Sequence, residues 1–511
     1  MTPSEGGAPP QDWNRPASAQ EVRERLTALR AADLPTHGGR TLSYVYDSGL
    51  GAADEIGREA LAAFASTNGL DPTAFPSLAI LESELVALAA GLLDGPPGTV
   101  GVATSGGTES LVLAVLAARN GAAHIERPKV VAPSTIHAAV HKAGHLLGVE
   151  VVTVPVDPAT FRADPAAMAA ALDERTVLVL ASAPSYAHGV IDPVAQIAEL
   201  AAERGIRCHV DACIGGWVLP FLEDVPPWTF AVEGVTSISV DLHKYAYTPK
   251  GISLLLHRDP ALRRGHFFAS AAWPGYTMLN TTLQSTKSGG PLAAAWAVAH
   301  AIGLDGYAEL AKRARQACLE VACAVGDIDG LDVVVAPDST LLALTTDERC
   351  DVFTIADEMG SRGWLVQPQM SFGDLPASLH LSLCAATADR VEELVTALTG
   401  ATAEAVRRGR VQVDPQLAAA AASLDPAGLD DAAFDGLLTI AGLAGDGGAV
   451  QVPERMAEVN ALLDVAPPPL REALLAAVLD RITRAEAGPR MPVVPDRPAD
   501  PLTQLVRSSN L

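Results

Sequence analysis

A lysine at the end of a predicted strand could attack an aldehyde. Lys244 closes the run Ser239–Lys244, in which an apolar strand leads directly into a His-Lys pair. Buried lysines are rare unless they are paired or functional, because removing an isolated ammonium from water is costly. A lysine in such a position can lose its proton and act as a nucleophile. The alternative is an ordinary surface lysine, whose stem covers apolar neighbours while its charge stays in water.

A glycine-rich turn offers a phosphate site. In Thr104–Ser110, Gly106 and Gly107 precede Thr108, and a predicted helix begins directly after a predicted strand. Backbone N–H groups at a helix start, free of side-chain bulk, can bind phosphate. A simple turn with a helix cap is the alternative interpretation. The segment has neither the lysine of a P-loop nor the spacing of the dinucleotide fingerprint.

Two more side chains follow predicted strands. His137 ends the run Ser134–His137, where its ring could lie over a flat ligand. Asp211 ends an apolar strand, and its carboxylate could keep a pyridine nitrogen protonated so that the ring accepts electrons. Each residue also has a structural interpretation, as a histidine near a helix start and as an aspartate that caps a turn.

The four groups together match one cofactor. Ligands of parallel sheets bind beyond the carboxyl ends of the strands, so we expect these groups to meet at one edge. Pyridoxal 5′-phosphate (PLP) needs all four, namely a phosphate site, a ring-stacking side chain, a carboxylate at the ring nitrogen and a lysine that captures the aldehyde. We therefore predict a PLP site built on Lys244, and no metal site.

The elements that must position these groups form an α/β pattern. From about Thr99 to Leu256, short β-branched runs alternate with alanine-rich helical stretches, which is typical of βαβ units around a mostly parallel sheet. The seven predicted strands are Thr99–Ala103, Lys129–Ala132, Glu150–Val154, Thr176–Ala181, Ile206–Val210, Val235–Val240 and Ile252–Leu256. A long or broken helix over Pro291–Val325 is predicted to lead into a small α+β unit.

The domain prediction has four parts. The N-terminal segment covers residues 1–47, the large PLP-binding domain 48–300, the small C-terminal domain 301–404, and a helical extension 405–511. A chain of 511 residues, 49% of them hydrophobic, is long enough for such a division and for a buried site.

Composition narrows the possible partners. The net charge of −24 argues against nucleic acid and against an anionic membrane surface, because both need a basic face. No stretch approaches the ~18 apolar residues of a membrane span. The six cysteines include no C-x-x-C pair and are predicted to be reduced thiols. The expected location is therefore the cytoplasm, and the expected partner is a small-molecule amine or amino acid.

The motifs also resemble a known family. From about Ser48 to Gly400 the chain is similar to the sphingosine-1-phosphate lyases, a branch of the group II PLP-dependent decarboxylases. The segments that carry the resemblance are Phe75–Leu78 with Glu82 and Glu84, Thr104–Ser110, His188–Pro193, His209–Cys213, Gly234–Ser239 and Asp241–Gly251. The resemblance implies the aspartate aminotransferase-type fold of PLP-dependent transferases, with a seven-stranded sheet.

The resemblance also implies residue roles. Lys244 would form the Schiff base with PLP, Asp211 would contact the pyridine nitrogen, and His137 would stack on the ring. The phosphate would be held by the glycine turn and the residue before the lysine, that is by Gly106, Gly107, Thr108 and His243. The family forms homodimers with a shared active site, and Ser285 and Thr286 lie where a family segment reaches the partner subunit's phosphate.

The departures from the family pattern concern the substrate. The family holds the substrate's phosphate with a tyrosine three places after Ser48-Gly49 and with the histidine of an Asn-x-Leu-His segment, and this chain has Ala52 and Asp71 at those places. A second tyrosine, five residues after Trp273 by ungapped count, falls on Met278. Lys250 is retained. A carboxylate in place of a phosphate-facing histidine reverses the local charge preference. The substrate pocket is therefore predicted to be altered.

Two reactions fit this site. Our main interpretation is a PLP-dependent carbon–carbon lyase that cleaves at the α-carbon of an amine or β-hydroxy amino acid. The alternative is an amino-acid decarboxylase on the same scaffold, and a third possibility is a binding protein that has lost catalysis. The candidate acid/base or positioning groups are Tyr186, Tyr245, Tyr247, Tyr276 and Lys250.

Overall fold

The computed structural model describes residues 16–440, 443 and 453–483. Two compact units are present. The sheet unit contains Thr36–Asp347 and Met359–Ala403, and the helical unit contains the described parts of Met1–Pro35, Glu348–Glu358 and Glu404–Leu511. Parts of the predicted N-terminal segment and helical extension lie outside the described residues. The four-part domain division stays a prediction.

The sheet unit is built on seven strands in the order β1-β7-β6-β5-β4-β2-β3. Their bounds are β1 Val100–Thr104, β2 Lys129–Pro133, β3 Glu150–Val154, β4 Thr176–Ser182, β5 Arg207–Asp211, β6 Val235–Asp241 and β7 Ser253–His257. Strand β7 runs antiparallel to both neighbours, and the other pairs are parallel. The predicted fold class is confirmed, and each predicted strand is found within a residue of its expected bounds.

Helices cover this sheet, and its central strands are buried along most of their length. Every residue of β2, β4 and β7 is buried, as expected for a parallel-type sheet with both faces covered. The covering helices are α2 Gly51–Ala63, α3 Pro76–Leu92, α4 Gly107–Gly121, α5 Ala139–Leu147, α6 Pro165–Ala171, α7 Val194–Glu203, α8 Pro260–Arg263 and α9 Gly289–Val325. Helix α9 is interrupted at Gly303, whose φ of 67° is left-handed.

A second sheet of four antiparallel strands has the order β10-β11-β13-β12. Its strands are β10 Leu331–Val333, β11 Leu341–Thr346, β12 Gln367–Gln369 and β13 Ser378–Ser382, and a separate hairpin is formed by β8 Phe268–Ser270 and β9 Met278–Asn280. Helices α10 Val352–Ser361, α11 Ala385–Ala388 and α12 Val391–Arg408 accompany the small sheet in the sequence.

The helical unit has a small core of its own. Its further helices are α1 Ala19–Arg30, α13 Pro415–Ser423, α14 Asp431–Ile440, α15 Ala457–Val465 and α16 Pro468–Thr483. Ala421, Ala466 and Leu470 are buried together at its centre. Across the described residues, no helix has both the length and the apolar character needed to cross a membrane.

Candidate active site

A cavity of about 370 Å³ opens at the carboxyl ends of the strands. Its lining comes from the segments that follow β1, β2, β4, β5 and β6. Among the lining residues are Gly106, Gly107, Thr108, His137, Asp211, His243 and Lys244. The structure therefore brings together the four groups that the sequence places after separate strands.

Lys244 is paired within this cavity. Its Nζ atom lies 2.9 Å from Oδ2 of Asp241, a buried carboxylate that also accepts a hydrogen bond from the Ser253 hydroxyl. Burial alone would lower the pKa of Lys244, but the attraction of Asp241 outweighs it and raises that pKa above its ordinary value. The same attraction outweighs burial at Asp241 and lowers the pKa of its carboxyl. Without a ligand, the amine is therefore held as an ammonium.

The glycine turn leaves room where a side chain would clash. A Cβ added to Gly107 would lie 2.7 Å from the Cys213 sulfur and 2.8 Å from an Asp241 carboxylate oxygen. Gly107 is also the first residue of α4, whose first N–H groups have no intrahelical acceptor. The turn can therefore present bare backbone donors to an anion.

Asp211 and His137 are oriented by the backbone. Oδ1 of the buried Asp211 accepts a hydrogen bond from the Cys213 N–H at 3.1 Å. Nδ1 of His137 accepts from the Ala139 N–H at 3.2 Å, which leaves Nε2 as the ring atom that carries a proton in the neutral form. His137 is itself exposed and lines the cavity.

Six of the predicted cofactor- and substrate-binding residues lie outside the cavity lining. They are Ser285, Thr286, Ala52, Asp71, Met278 and Lys250. Asp71 is exposed, and its carboxylate accepts from the Thr73 N–H and hydroxyl, which lowers its pKa. Met278 pairs with Ser270 in the β8–β9 hairpin. These residues do not meet around the cavity within one chain.

Lys250 lies against Tyr46, a residue that the sequence did not single out. The Lys250 amine donates to the backbone oxygen of His243 at 3.0 Å and sits 4.9 Å from the centre of the Tyr46 ring. Burial, and then repulsion from Lys244, lowers the pKa of Lys250 to about 8. Burial raises the pKa of Tyr46 to about 12. No motif surrounds Tyr46, so only the fold reveals this contact.

The predicted tyrosines differ in their surroundings. Tyr186 lines the cavity and stacks on His380 at a centroid distance of 4.0 Å, and burial raises its pKa. Tyr245 is fully buried and donates to the Leu383 backbone oxygen at 2.8 Å. Tyr276 is exposed. Tyr186 is therefore the one among these three that faces the cavity.

A second cavity of about 350 Å³ adjoins the first and shares His137 and Tyr186 with it. Most of its remaining wall is apolar. The small sheet and its β12–β13 connection supply Met370, Phe372, Leu375 and Pro376. Together the two cavities offer a polar end and an apolar end.

Sequence comparison assigns this arrangement to a family. The model described as "pyridoxal-dependent decarboxylase conserved domain" matches residues 46–326, which is more than half of the chain and includes all four groups. The chain belongs to this family. A second model, "pyridoxal-dependent enzyme, C-terminal putative HTH domain", matches residues 415–481. The helical extension is thus similar to a domain model that the sequence analysis did not anticipate.

Among curated proteins, the chain is similar to the sphingosine-1-phosphate lyase of Dictyostelium discoideum. The two are 38% identical over 332 residues, which cover 64% of this chain and 62% of that protein. The chain therefore spans about six-tenths of the length of this relative. The predicted membership of the sphingosine-1-phosphate lyase-like branch is confirmed.

Two solved structures superpose on the fold of this chain. A sphingosine-1-phosphate lyase of Burkholderia pseudomallei superposes with a TM-score of 0.74 at 32% identity, covering 79% of this chain and 94% of that one. The glutamate decarboxylase of Lactobacillus brevis superposes with a TM-score of 0.69 at 18% identity, covering 80% and 97%. The second likeness concerns the fold alone.

The residues present fit the family's cofactor, PLP. The glycine turn leaves space for a phosphate, Asp211 faces the cavity as a buried acceptor, and the Lys244 amine reaches the same space. The predicted cofactor is confirmed as PLP. The roles of individual residues toward it remain predictions.

Proposed function

We propose that this protein is a PLP-dependent carbon–carbon lyase that cleaves a β-hydroxy amine or β-hydroxy amino acid at the α-carbon. The observation that carries the proposal is Lys250, an exposed lysine outside the cavity lining whose amine donates to the backbone oxygen of the lining residue His243 at 3.0 Å and whose pKa is lowered to about 8. Loss of an aldehyde requires a group that removes the proton of the substrate's β-hydroxyl, whereas decarboxylation does not. A lysine that is partly neutral near pH 8 can serve as that base.

Each group of cavity residues would bind a different part of PLP. Bound PLP supplies a ring that accepts the electrons left at the substrate's α-carbon. Asp211 would accept a hydrogen bond from the ring nitrogen, and His137 would cover one ring face. Gly106, Gly107, Thr108 and His243 would hold the phosphate, and the Lys244 amine would hold the aldehyde end.

Asp241 would hold Lys244 in its ammonium form before the cofactor enters. The 2.9 Å pair keeps the amine charged, so a proton must leave Lys244 before the amine can attack an aldehyde. The Asp241 carboxylate is buried, so it would remain as the counter-charge of the site. This carboxylate was not predicted as a site residue, although it lies in the same motif as the lysine.

The substrate would span both cavities. The Lys250 amine, held on the His243 backbone oxygen, would face the β-hydroxyl of a substrate bound at the polar end. Met370, Phe372 and Leu375 would surround an apolar portion. The names of the sphingosine-1-phosphate lyase relatives support such a substrate class. Ala52, Asp71 and Met278 remain candidate positions for the altered pocket.

A homodimer with a shared active site is part of the proposal. The β8–β9 hairpin and the residues around it expose large apolar side chains in one short region, Phe268, Trp273, Tyr276, Leu279 and Leu283. Such patches mark interaction surfaces in soluble proteins. Ser285 and Thr286 follow directly, as expected for a segment that serves a second subunit. Light scattering should give the mass of two chains.

The proposed location is the cytoplasm, a reducing compartment, and the state of the cysteines supports it. None of the six, all of them among the described residues, forms a disulfide, and five of them are buried. For the helical extension we infer no nucleic-acid role, despite the name of its family model. Between residues 415 and 481, Asp and Glu outnumber Lys and Arg ten to three. Phosphate backbones require the opposite charge.

Product analysis tests the reaction type. The PLP-loaded protein is incubated with β-hydroxy amines and, separately, with free amino acids, and both aldehyde and carbon dioxide are measured. Aldehyde without carbon dioxide is expected. Carbon dioxide from amino acids without aldehyde would replace the lyase with a decarboxylase, and neither product from a PLP-loaded protein would favour a binding role.

A further inference from the structure

A buried carboxylate joins the cofactor turn to a distant segment. Oε2 of Glu109 accepts from the Ser105 N–H at 2.6 Å, and Oε1 accepts from the Leu283 N–H at 2.8 Å. Glu109 is only 6% exposed and belongs to the first turn of α4. One side chain therefore holds the backbone of the predicted phosphate turn and that of residue 283 at the same time.

The far end of this segment is held separately. Lys287 Nζ lies 2.9 Å from Oε1 of Glu82, and the same carboxylate oxygen accepts from the Ala103 N–H at 2.6 Å. The Lys287 backbone oxygen accepts from the Gly69 N–H at 2.8 Å. Residues 283–287, which we call the bridging segment, are thus fixed at residue 287 whether or not Glu109 acts.

Packing contributes little at the near end. The Leu283 side chain is 56% exposed, and residues 284 and 286 are also exposed. Together with the buried Thr282, whose hydroxyl donates to the Gln284 backbone oxygen at 3.0 Å, this end is therefore restrained by the hydrogen bond from the Leu283 N–H to Glu109. A charge-assisted hydrogen bond of this kind is among the stronger ones in proteins.

We propose that Glu109 is a positioning residue that couples occupation of the phosphate turn to the position of the bridging segment. An anion bound at residues 105–108 restrains the Ser105 N–H and the first turn of α4, and therefore the carboxylate that both share. The restraint passes through Glu109 to Leu283. This inference rests on the proposed PLP site.

In the proposed dimer the coupling would link the two active sites. Ser285 and Thr286 lie inside the bridging segment, and they are the residues expected to reach the partner subunit's cofactor phosphate. A phosphate bound in one subunit would then favour the segment position that completes the other site. PLP binding to the apoprotein should accordingly be positively cooperative.

The chemistry of the Glu109 side chain indicates which substitution tests the coupling. Two N–H donors require two acceptors, which a carboxylate provides. In Glu109→Gln, one acceptor is replaced by an NH₂ group that faces an N–H group, so one of the two bonds is lost. Glu84→Gln is the matched control, because Glu84 accepts from the Trp296 indole N–H at 2.6 Å and has no contact with the bridging segment.

Hydrogen–deuterium exchange of the peptide that covers residues 281–288 measures the coupling, with and without PLP. In the wild type and in Glu84→Gln, PLP should slow exchange in this peptide about tenfold, which corresponds to one hydrogen bond of ordinary strength. In Glu109→Gln the slowing should be absent, and PLP titrations should lose their cooperativity. Unchanged slowing in Glu109→Gln would overturn the proposal.

A second variant covers the case in which Glu109→Gln does not fold. Glu109→Asp keeps the charge but is one methylene shorter, so it cannot reach both N–H groups and should show the same loss. If the wild-type peptide exchanges equally slowly with and without PLP, the coupling is overturned but the PLP site is not. Failure of the wild type to bind PLP at all would overturn the PLP site and the coupling with it.

Discussion

Lys244 Nζ lies 2.9 Å from Oδ2 of Asp241, three residues earlier in the chain at the end of β6. The carboxylate is 3% exposed and the lysine side chain 21%, so the pair is held largely away from water. The pair raises the pKa of Lys244 and lowers that of Asp241. Cofactor attachment must therefore compete with an ion pair.

Asp241→Asn should destabilise the apoprotein. Removing one member of a buried pair leaves an uncompensated charge, and because Lys244 can release its proton we expect a loss of about 3 kcal/mol, the lower end of the usual range. Urea unfolding of the variant and the wild type at pH 7 measures this difference in the free energy of unfolding. Asp33→Asn, which breaks the exposed pair with Arg30, should change little. Equal effects of the two variants would contradict the role given to the buried pair.

The same pair sets a pH dependence. Asp241 has a lowered pKa, so its contribution to stability is present above the unfolded value of about 3.9 and is lost as the pH falls through the lower folded value. Lys244 has a raised pKa, so the stability that the ion pair contributes is also lost at alkaline pH, as the pH rises through the folded pKa of Lys244. The difference between wild type and Asp241→Asn should therefore shrink in strong acid. A difference that stays constant as the pH falls below about 3.9 would contradict this assignment.

Gly107→Ala should weaken PLP binding. The added Cβ would lie 2.7 Å from the Cys213 sulfur and 2.8 Å from Asp241, so the turn must shift. We expect a rise of at least about tenfold in the dissociation constant of PLP, the effect of 1.4 kcal/mol, in absorbance titrations. Gly91→Ala on α3 meets nothing within 4 Å and should bind PLP normally. Normal binding by Gly107→Ala would argue against a close phosphate.

Lys250→Met should remove the base that the lyase reaction needs. With a pKa of about 8, Lys250 becomes neutral as the pH rises, so aldehyde release should increase through pH 8 in the wild type. In the variant this rise with pH should be absent. The rate of aldehyde release should also fall by a factor of about 10²–10⁴, the usual contribution of a general base. Lys312→Met serves as the control. A pH profile that survives in Lys250→Met would assign the base elsewhere.

The helical extension should not bind nucleic acid. Its matched segment is strongly acidic, and Arg481, one of its three basic residues, is paired with Asp435. Fluorescence polarisation with duplex DNA at physiological salt should give no dissociation constant below about 10⁻⁴ M, the weak end of non-specific binding. Micromolar binding would contradict the charge argument.

The sequence predicted the cofactor cavity because each of its four groups follows an apolar run that can only be a buried strand. Parallel strands bring their carboxyl ends to one edge, so Gly107, His137, Asp211 and Lys244 meet without any knowledge of distant contacts. All seven strands of the large sheet were predicted for the same reason. Strand β12, with Pro368 at its centre, was missed because proline argues against a strand.

The remaining site residues depend on contacts between distant parts of the chain. Tyr46 reaches Lys250 only after folding, and Glu109 meets Leu283 across a sequence separation of 174 residues. Neither residue lies in a motif that indicates its contact. The motif comparison that led to Ala52 and Asp71 had no such information, and the fold places both on exposed positions.

Peptide mapping after borohydride reduction tests the central claim most directly. Reduction of the PLP-loaded protein fixes any lysine that holds the cofactor, and mass spectrometry locates it. The cofactor mass is expected on the peptide that contains Lys244, and it should be missing from Lys244→Ala together with the visible absorption band. Labelling of Lys250 or Lys287 instead, or a band that survives in Lys244→Ala, would contradict the PLP site built on Lys244.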